Sequence, residues 1–280
     1  MVKPLFVERL PAGLVIERLP AMRDFICLSK GTLMREHMSS EALSSDEPQG
    51  YREPQELHGS CGSSGLRAVL FDNDGTLVDT YELILESFRY ALDAVAGTNL
   101  SDEEIMRKVG QPLFVQAASL VPDRPHLRDA LVDAYRAHNE AVHDGRIRLF
   151  DGVQRGLAAM ADKGLELGVV TSKRHALCQH GLEILGVDSY MACIVGYDDC
   201  THYKPQPEPV QRGCVALGLD PQVCMYVGDS PYDLMAGNDA GCITVAVTWG
   251  MVEESELCGC NPDYVVHSFD ELVDLALQLI

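Results

Sequence analysis

Two aspartates separated by one residue, and followed at once by Gly-Thr, stand in Phe71-Asp72-Asn73-Asp74-Gly75-Thr76. Carboxylates held that close repel, and a cation between them relieves the repulsion. A hard divalent ion with oxygen ligands, Mg²⁺ first among them, suits such a pair. Three more groups of reactive side chains lie after apolar runs. Thr171-Ser172-Lys173 follows Val169-Val170 and offers hydroxyl and amide donors. Lys204 stands in Tyr203-Lys204-Pro205, and Gly228-Asp229-Ser230-Pro231-Tyr232-Asp233 follows Val227 with two further carboxylates. Hydroxyls, a lysine and carboxylates suit phosphoryl chemistry, in which a protein mainly positions groups and neutralises charge.

The elements that must carry these groups are legible from periodicity. Short apolar runs predict buried strands at Ala68–Phe71, Leu167–Val170, Ala192–Val195, Cys224–Val227, Ile243–Val247 and Tyr264–Val266. Helical spacing lies between them, in Val153, Leu157 and Met160 and in Val210, Cys214 and Leu217, with Gly186 and Gly218 where helix C-caps belong. Strands alternating with helices predict an α/β fold, a Rossmann-like parallel sheet covered on both faces. Ligands of such sheets bind beyond the strand C-termini, which is where the four groups fall. Residues 81–149 break the alternation and show helical spacing alone, as in Ile84, Phe88, Ala91 and Val95. The expected organisation is a core of residues 66–80 and 150–280 with an all-helical cap of residues 81–149 inserted after the first strand.

Residues 39–65 hold 13 Ser, Gly or Pro and five acidic residues, a linker composition. Residues 1–65 are therefore expected to form an extension without fixed structure. Within it Glu8-Arg9-Leu10-Pro11-Ala12 recurs as Glu17-Arg18-Leu19-Pro20-Ala21, too few copies for a solenoid, and Met34 or Met38 could each begin a shorter chain. The formal net charge of −20 argues against sequence-independent binding to nucleic acid or to an anionic membrane. It permits a small anionic substrate where a few cations converge. The start of the chain lacks the basic-then-apolar profile of a secretory signal. Most of the ten cysteines fall in apolar runs without a C-x-x-C pair, which predicts buried thiols and a cytoplasmic location. Cys258-Gly259-Cys260 is too closely spaced for ordinary zinc geometry, and Cys200-Thr201-His202 lacks a matching pair.

With the four groups in this order, residues 66–280 resemble the haloacid dehalogenase (HAD) superfamily of phosphohydrolases. The resemblance implies that Asp72 is the nucleophile that becomes a phospho-aspartate, and that Asp74 is the general acid and then the base. It implies Mg²⁺ held by Asp72, the Asp74 backbone carbonyl and Asp229, with Asp233 behind them. Thr171 would bond the transferred phosphoryl group, and Lys204 would offset charge on Asp72 and the phosphate. Asn73 occupies a place where the family more often has an apolar residue. Asp74 argues against carbon–halogen cleavage, which needs no leaving-group acid. Phosphonate-cleaving relatives need a Schiff-base lysine in the cap, where Lys108 is the single lysine.

Within the superfamily the sequence is most similar to phosphoglycolate phosphatases and related bacterial inorganic pyrophosphatases. Gly110-Gln111-Pro112-Leu113 is similar to a cap loop of the first group. Glu82-Leu83-Ile84, Asp198-Asp199 and His202 through Val210 are closer to the second. Candidate substrate contacts are Ser172, Lys173, Arg174, Lys108 and Gln111. The expected function is Mg²⁺-dependent hydrolysis of a small phosphate compound. A sugar-phosphate mutase carries the same motifs, and a catalytically idle interaction module would keep the fold without the turnover. Oligomeric state has no signature in the sequence.

Overall fold

The computed structural model describes residues 65–280 and the backbone of a short antiparallel pair, β1 (Glu8–Arg9) and β2 (Val15–Ile16). The rest of the expected extension, with its two candidate start sites, lies outside the described residues. Six strands form the main sheet: β3 (Ala68–Phe71), β6 (Glu166–Val170), β7 (Met191–Val195), β8 (Cys224–Gly228), β9 (Ile243–Val247) and β10 (Tyr264–Val266). Their order is β10-β9-β8-β3-β6-β7, and every pairing is parallel. This is the α/β architecture that the alternation predicts, with each strand run found within a residue of its expected bounds.

Period-two alternation in the central strands serves two separate cores. Val69 and Phe71 point to the face where α5 (Val153–Asp162), α6 (His175–Leu185) and the C-terminal helix α9 (Phe269–Gln278) pack through Leu157, Leu182 and Leu272. Ala68 and Leu70 point the other way, toward Val210 and Cys214 of α7 (Glu208–Leu217) and Ala236 of α8 (Pro231–Ala240). All four residues of β3 are buried, and its C-terminal end runs directly into Asp72. Gly186 and Gly218 end α6 and α7 in the left-handed conformation expected of C-caps. Cys178, Cys214, Cys224 and Cys242 are buried, as expected for structural thiols, whereas Cys193 and Cys200 are only partly so.

The helical stretch leaves the core through β4 (Val78–Asp79) and returns through β5 (Arg148–Leu149), and these two strands pair antiparallel. Between them lie α1 (Tyr81–Ala91), α2 (Asp102–Met106), α3 (Leu113–Leu120) and α4 (Arg128–Val142). They have a core of their own, in which Ile84 and Phe88 of α1 meet Ile105, Ala117 and Leu131. Phe88 packs on Tyr135 with ring centroids 4.5 Å apart. The Ser101 hydroxyl accepts from the Glu104 amide while Glu104 accepts from Ser101, which caps and starts the short α2.

Candidate functional site

The parallel register brings the sequence motifs together. Phe71 is level with Val169 on one side and Val227 on the other, so the chains after β3, β6 and β8 emerge side by side. The Asp72 amide still donates to Val227 O at 2.8 Å, and the Thr171 amide donates to Val195 O at 2.9 Å. The turn after β3 depends on Gly75, at φ +87, where a Cβ would stand 2.2 Å from Asp229 Oδ2. No other residue type lets the turn lie so close to that carboxylate.

Lys204 is the electrostatic centre. It is 1% exposed, and its Nζ donates to Asp72 Oδ1 at 2.8 Å, Asp233 Oδ1 at 2.5 Å and the Tyr226 hydroxyl at 3.1 Å. Burial works against its charge, but Asp233 and Asp72 outweigh burial and hold the ammonium protonated well above the ordinary lysine range. Asp72 is pushed up to about 7, chiefly by burial, with Lys204 opposing and Asp233 and Asp74 adding to the rise. Asp229 is raised well above the usual carboxylate range by burial and then by Asp233 and Asp72, although the Thr76 hydroxyl donates to it at 3.1 Å. Burial also opposes ionisation of Asp74, yet its pKa is lowered because Lys173 Nζ lies 2.7 Å away.

Oxygens of Asp72, Asp229 and Asp233 lie within 4.8 Å of one another. The donor set is all oxygen and anionic, and Asp72 and Asp229 are both raised by burial and by neighbouring carboxylates, so the residues fit a hard divalent cation. Asp233 already has its oxygens occupied. Besides Lys204, it accepts from the Ser230 amide at 3.2 Å and the Ser230 hydroxyl at 2.5 Å, a capping box that starts α8.

Above these groups lies a cleft between the strand C-termini and the helical stretch. Asp72, Asp74, Thr171, Ser172, Lys173, Arg174 and Gln111, all candidates from the sequence, line it. Ser172 and Gln111 are engaged within the protein: Ser172 Oγ donates to Gly110 O at 2.6 Å, and Gln111 Nε2 donates to Lys204 O at 2.8 Å. Arg174 pairs with Glu140 at 2.5 Å. Lys108 does not join them. It is exposed on the turn after α2 and lines neither this cleft nor the neighbouring acidic one that reaches Asp229.

Sequence reasoning missed Tyr226, Thr76, Arg136, Asn139 and Tyr197. Tyr226 is hidden in an apolar run, and its hydroxyl, besides accepting from Lys204, lies 3.0 Å from both Val170 O and Asp233 Oδ1. Arg136 and Asn139 line the cleft from α4, one turn apart, and Arg136 Nη2 approaches the Tyr197 hydroxyl at 3.4 Å. The available signal was the polar spacing of residues 136, 139 and 140 within an otherwise amphipathic helix.

The chain is similar to known proteins in both sequence and fold. Residues 69–247 match the family model described as haloacid dehalogenase-like hydrolase. Pyrophosphatase PpaX of Bacillus pumilus is 36% identical over 210 residues, which span 75% of this chain and 96% of the relative. The protein of that name from Anoxybacillus flavithermus is 31% identical over equal shares. Among solved structures, a predicted phosphatase from Clostridium acetobutylicum superposes with a TM-score of 0.71 at 27% identity, covering 77% of this chain and all of that one. A predicted phosphoglycolate phosphatase from Haemophilus somnus gives 0.71 at 25% identity, covering 76% and 99%.

Proposed function

The chain belongs to the haloacid dehalogenase-like hydrolases, and on that premise we propose that it is a Mg²⁺-dependent phosphohydrolase acting through a phospho-aspartate on Asp72, with inorganic pyrophosphate as its favoured substrate. One observation carries the reading: Asp72, Lys204, Asp229 and Asp233 converge at one sheet edge beside Asp74. Mg²⁺, held by Asp72, Asp229 and the Asp74 backbone carbonyl, would neutralise the oxygens of the group being transferred. Asp233, saturated by donors, stands behind and positions Lys204.

Asp72 attacks phosphorus, and Lys204 keeps one of its oxygens fixed while the other is used. Asp74 gives a proton to the departing oxygen as the P–O bond breaks. Water then attacks the phospho-aspartate, Asp74 takes its proton back, and phosphate leaves with Asp72 restored. Lys173 now holds Asp74 in its basic form, so the acid step requires Lys173 to turn from Asp74 to the incoming phosphate. Thr171 offers a hydroxyl on the same side of the cleft.

Pyrophosphate is favoured because the relatives at 31–36% identity carry that activity in their names and because Arg136 and Lys173 give a second anionic group something to bind. Phosphoglycolate, with a carboxylate in place of the second phosphate, shares that chemistry. The helical stretch acts as a cap that closes the cleft over either substrate. Phosphate release should be measured on pyrophosphate, phosphoglycolate and several sugar phosphates, with and without Mg²⁺. Mg²⁺-dependent release, fastest on pyrophosphate, is expected. Release from none of them, with a phosphate instead moved between sugar positions, would identify a mutase.

A further inference from the structure

Away from the catalytic edge, three side chains meet where the helical stretch rejoins the core. His143 and Asp144 form the turn after α4, and His180 stands in the middle of α6. Asp144 Oδ1 lies 3.1 Å from His143 Nδ1 and 3.0 Å from His180 Nε2, and the three atoms all lie within 4.8 Å of one another. The two imidazoles are nearly stacked, with centroids 5.9 Å apart and planes at 29°.

We propose that His143, Asp144 and His180 form a second metal site, selective for Zn²⁺ or a similar transition metal, that ties the end of the helical stretch to α6. Three lines of chemistry support it. Tetrahedral zinc with bonds of about 2.0–2.2 Å to nitrogen and oxygen sets neighbouring donors about 3.3 Å apart, close to the two nitrogen–oxygen distances found. Two imidazoles and one carboxylate are a known zinc ligand type that leaves a fourth position for water. Imidazole nitrogen also favours Zn²⁺ over Mg²⁺, whereas the catalytic carboxylates offer oxygen alone. The two sites therefore call for different ions.

The setting is suited to a cross-link. His143 is buried, with its ring against Gly181 of α6, where a Cβ would meet it at 3.4 Å. Asp144 and His180 are half open to solvent, at 61% and 50% side-chain exposure, which leaves an entry path. The α6 helix begins directly after Arg174, so an ion at this junction would hold the returning chain against the helix that follows the Thr171–Arg174 segment.

The test titrates Zn²⁺ calorimetrically into the full chain in excess Mg²⁺, with His180→Gln, Asp144→Asn and Asp229→Asn alongside. Wild type and Asp229→Asn should share one Zn²⁺ site that His180→Gln and Asp144→Asn lack or bind at least about tenfold more weakly. Zn²⁺ should raise the melting temperature of wild type and Asp229→Asn but not of His180→Gln. His180 is half exposed, so that variant should fold. Co²⁺ bound to wild type should show the visible bands of a four-coordinate nitrogen-ligated site, absent in His180→Gln. Equal Zn²⁺ stoichiometry and affinity in wild type and His180→Gln would overturn the site and leave Asp144 as a carboxylate shared between two histidines.

Discussion

The two walls of the cleft are built on opposite electrostatic plans. On the sheet side, Asp72, Lys204, Asp229 and Asp233 are all at most 4% exposed and bonded to one another or to buried hydroxyls. On the helical side, Arg136 is half-buried and approaches the neutral Tyr197 hydroxyl. Removing a partner strands a buried charge, so the sheet wall can change little without loss of stability. A partly hydrated arginine can bind, release and be exchanged at low cost. On the proposed function, this difference assigns chemistry to the first wall and selection to the second.

Variants on the two walls should separate accordingly. Asp72→Asn should abolish turnover, because an amide is a poor nucleophile, and phosphate release by a folded Asp72→Asn protein would refute the mechanism. Asp74→Asn should lose about 10²- to 10⁴-fold in kcat. The loss should shrink on an activated ester such as p-nitrophenyl phosphate, whose leaving group departs unprotonated, and equal losses on both substrates would remove Asp74 as the acid.

Lys204→Met should lower kcat/KM at least about tenfold and also lower the melting temperature, since it strands Asp72 and Asp233 as buried, uncompensated carboxylates. Adding Asp233→Asn should recover stability but not rate. Recovery of both would make Lys204 a purely structural cation. On the helical wall, Arg136→Met should raise KM for pyrophosphate about tenfold while leaving p-nitrophenyl phosphate, which has no second anionic group, nearly unaffected. A parallel loss on both substrates would place Arg136 with the chemistry instead.

The smallest effect concerns the segment that delivers Lys204. Glu208 accepts from the Thr201 and His202 amides at 3.0 and 2.8 Å and from His202 Nδ1 at 2.7 Å. Those amide bonds and His202 lower its pKa to about 2, from an ordinary 4.5. A depressed carboxylate contributes stability that is complete above its unfolded value and is lost as pH falls through its folded value. Acid unfolding should therefore steepen between about pH 4.5 and 2, and Glu208→Gln should flatten that stretch of the stability curve. An unchanged curve would mean that the segment is held by Pro205, Pro207 and packing alone.

The sheet wall was legible from sequence and the helical wall largely was not. Asp72, Thr171 and Asp229 each follow a strand whose apolar run announces both its burial and its end, and parallel strands align those ends. Lys204 belongs to a loop after such a strand. Its type pointed to a charge role, but its complete burial and its bond to Tyr226 depend on how that loop folds back. Lys108 shows the converse. As the single lysine of the helical stretch it looked like an anion contact, yet it is exposed on the turn after α2, and Arg136 of α4 lines the cleft.

By itself, the sequence determined the alternation of strands and helices, the order of the reactive groups along the chain, and the strand ends from which most of them emerge. Each of these is local, because periodicity and chain order are properties of neighbouring residues. Tertiary structure alone decided that Tyr226 and Asp233 would share Lys204, that Arg136 and Lys173 would face one cleft, and that His143, Asp144 and His180 would meet. Those meetings join residues distant in the chain, and they depend on how helices rotate and loops close, which no local pattern encodes.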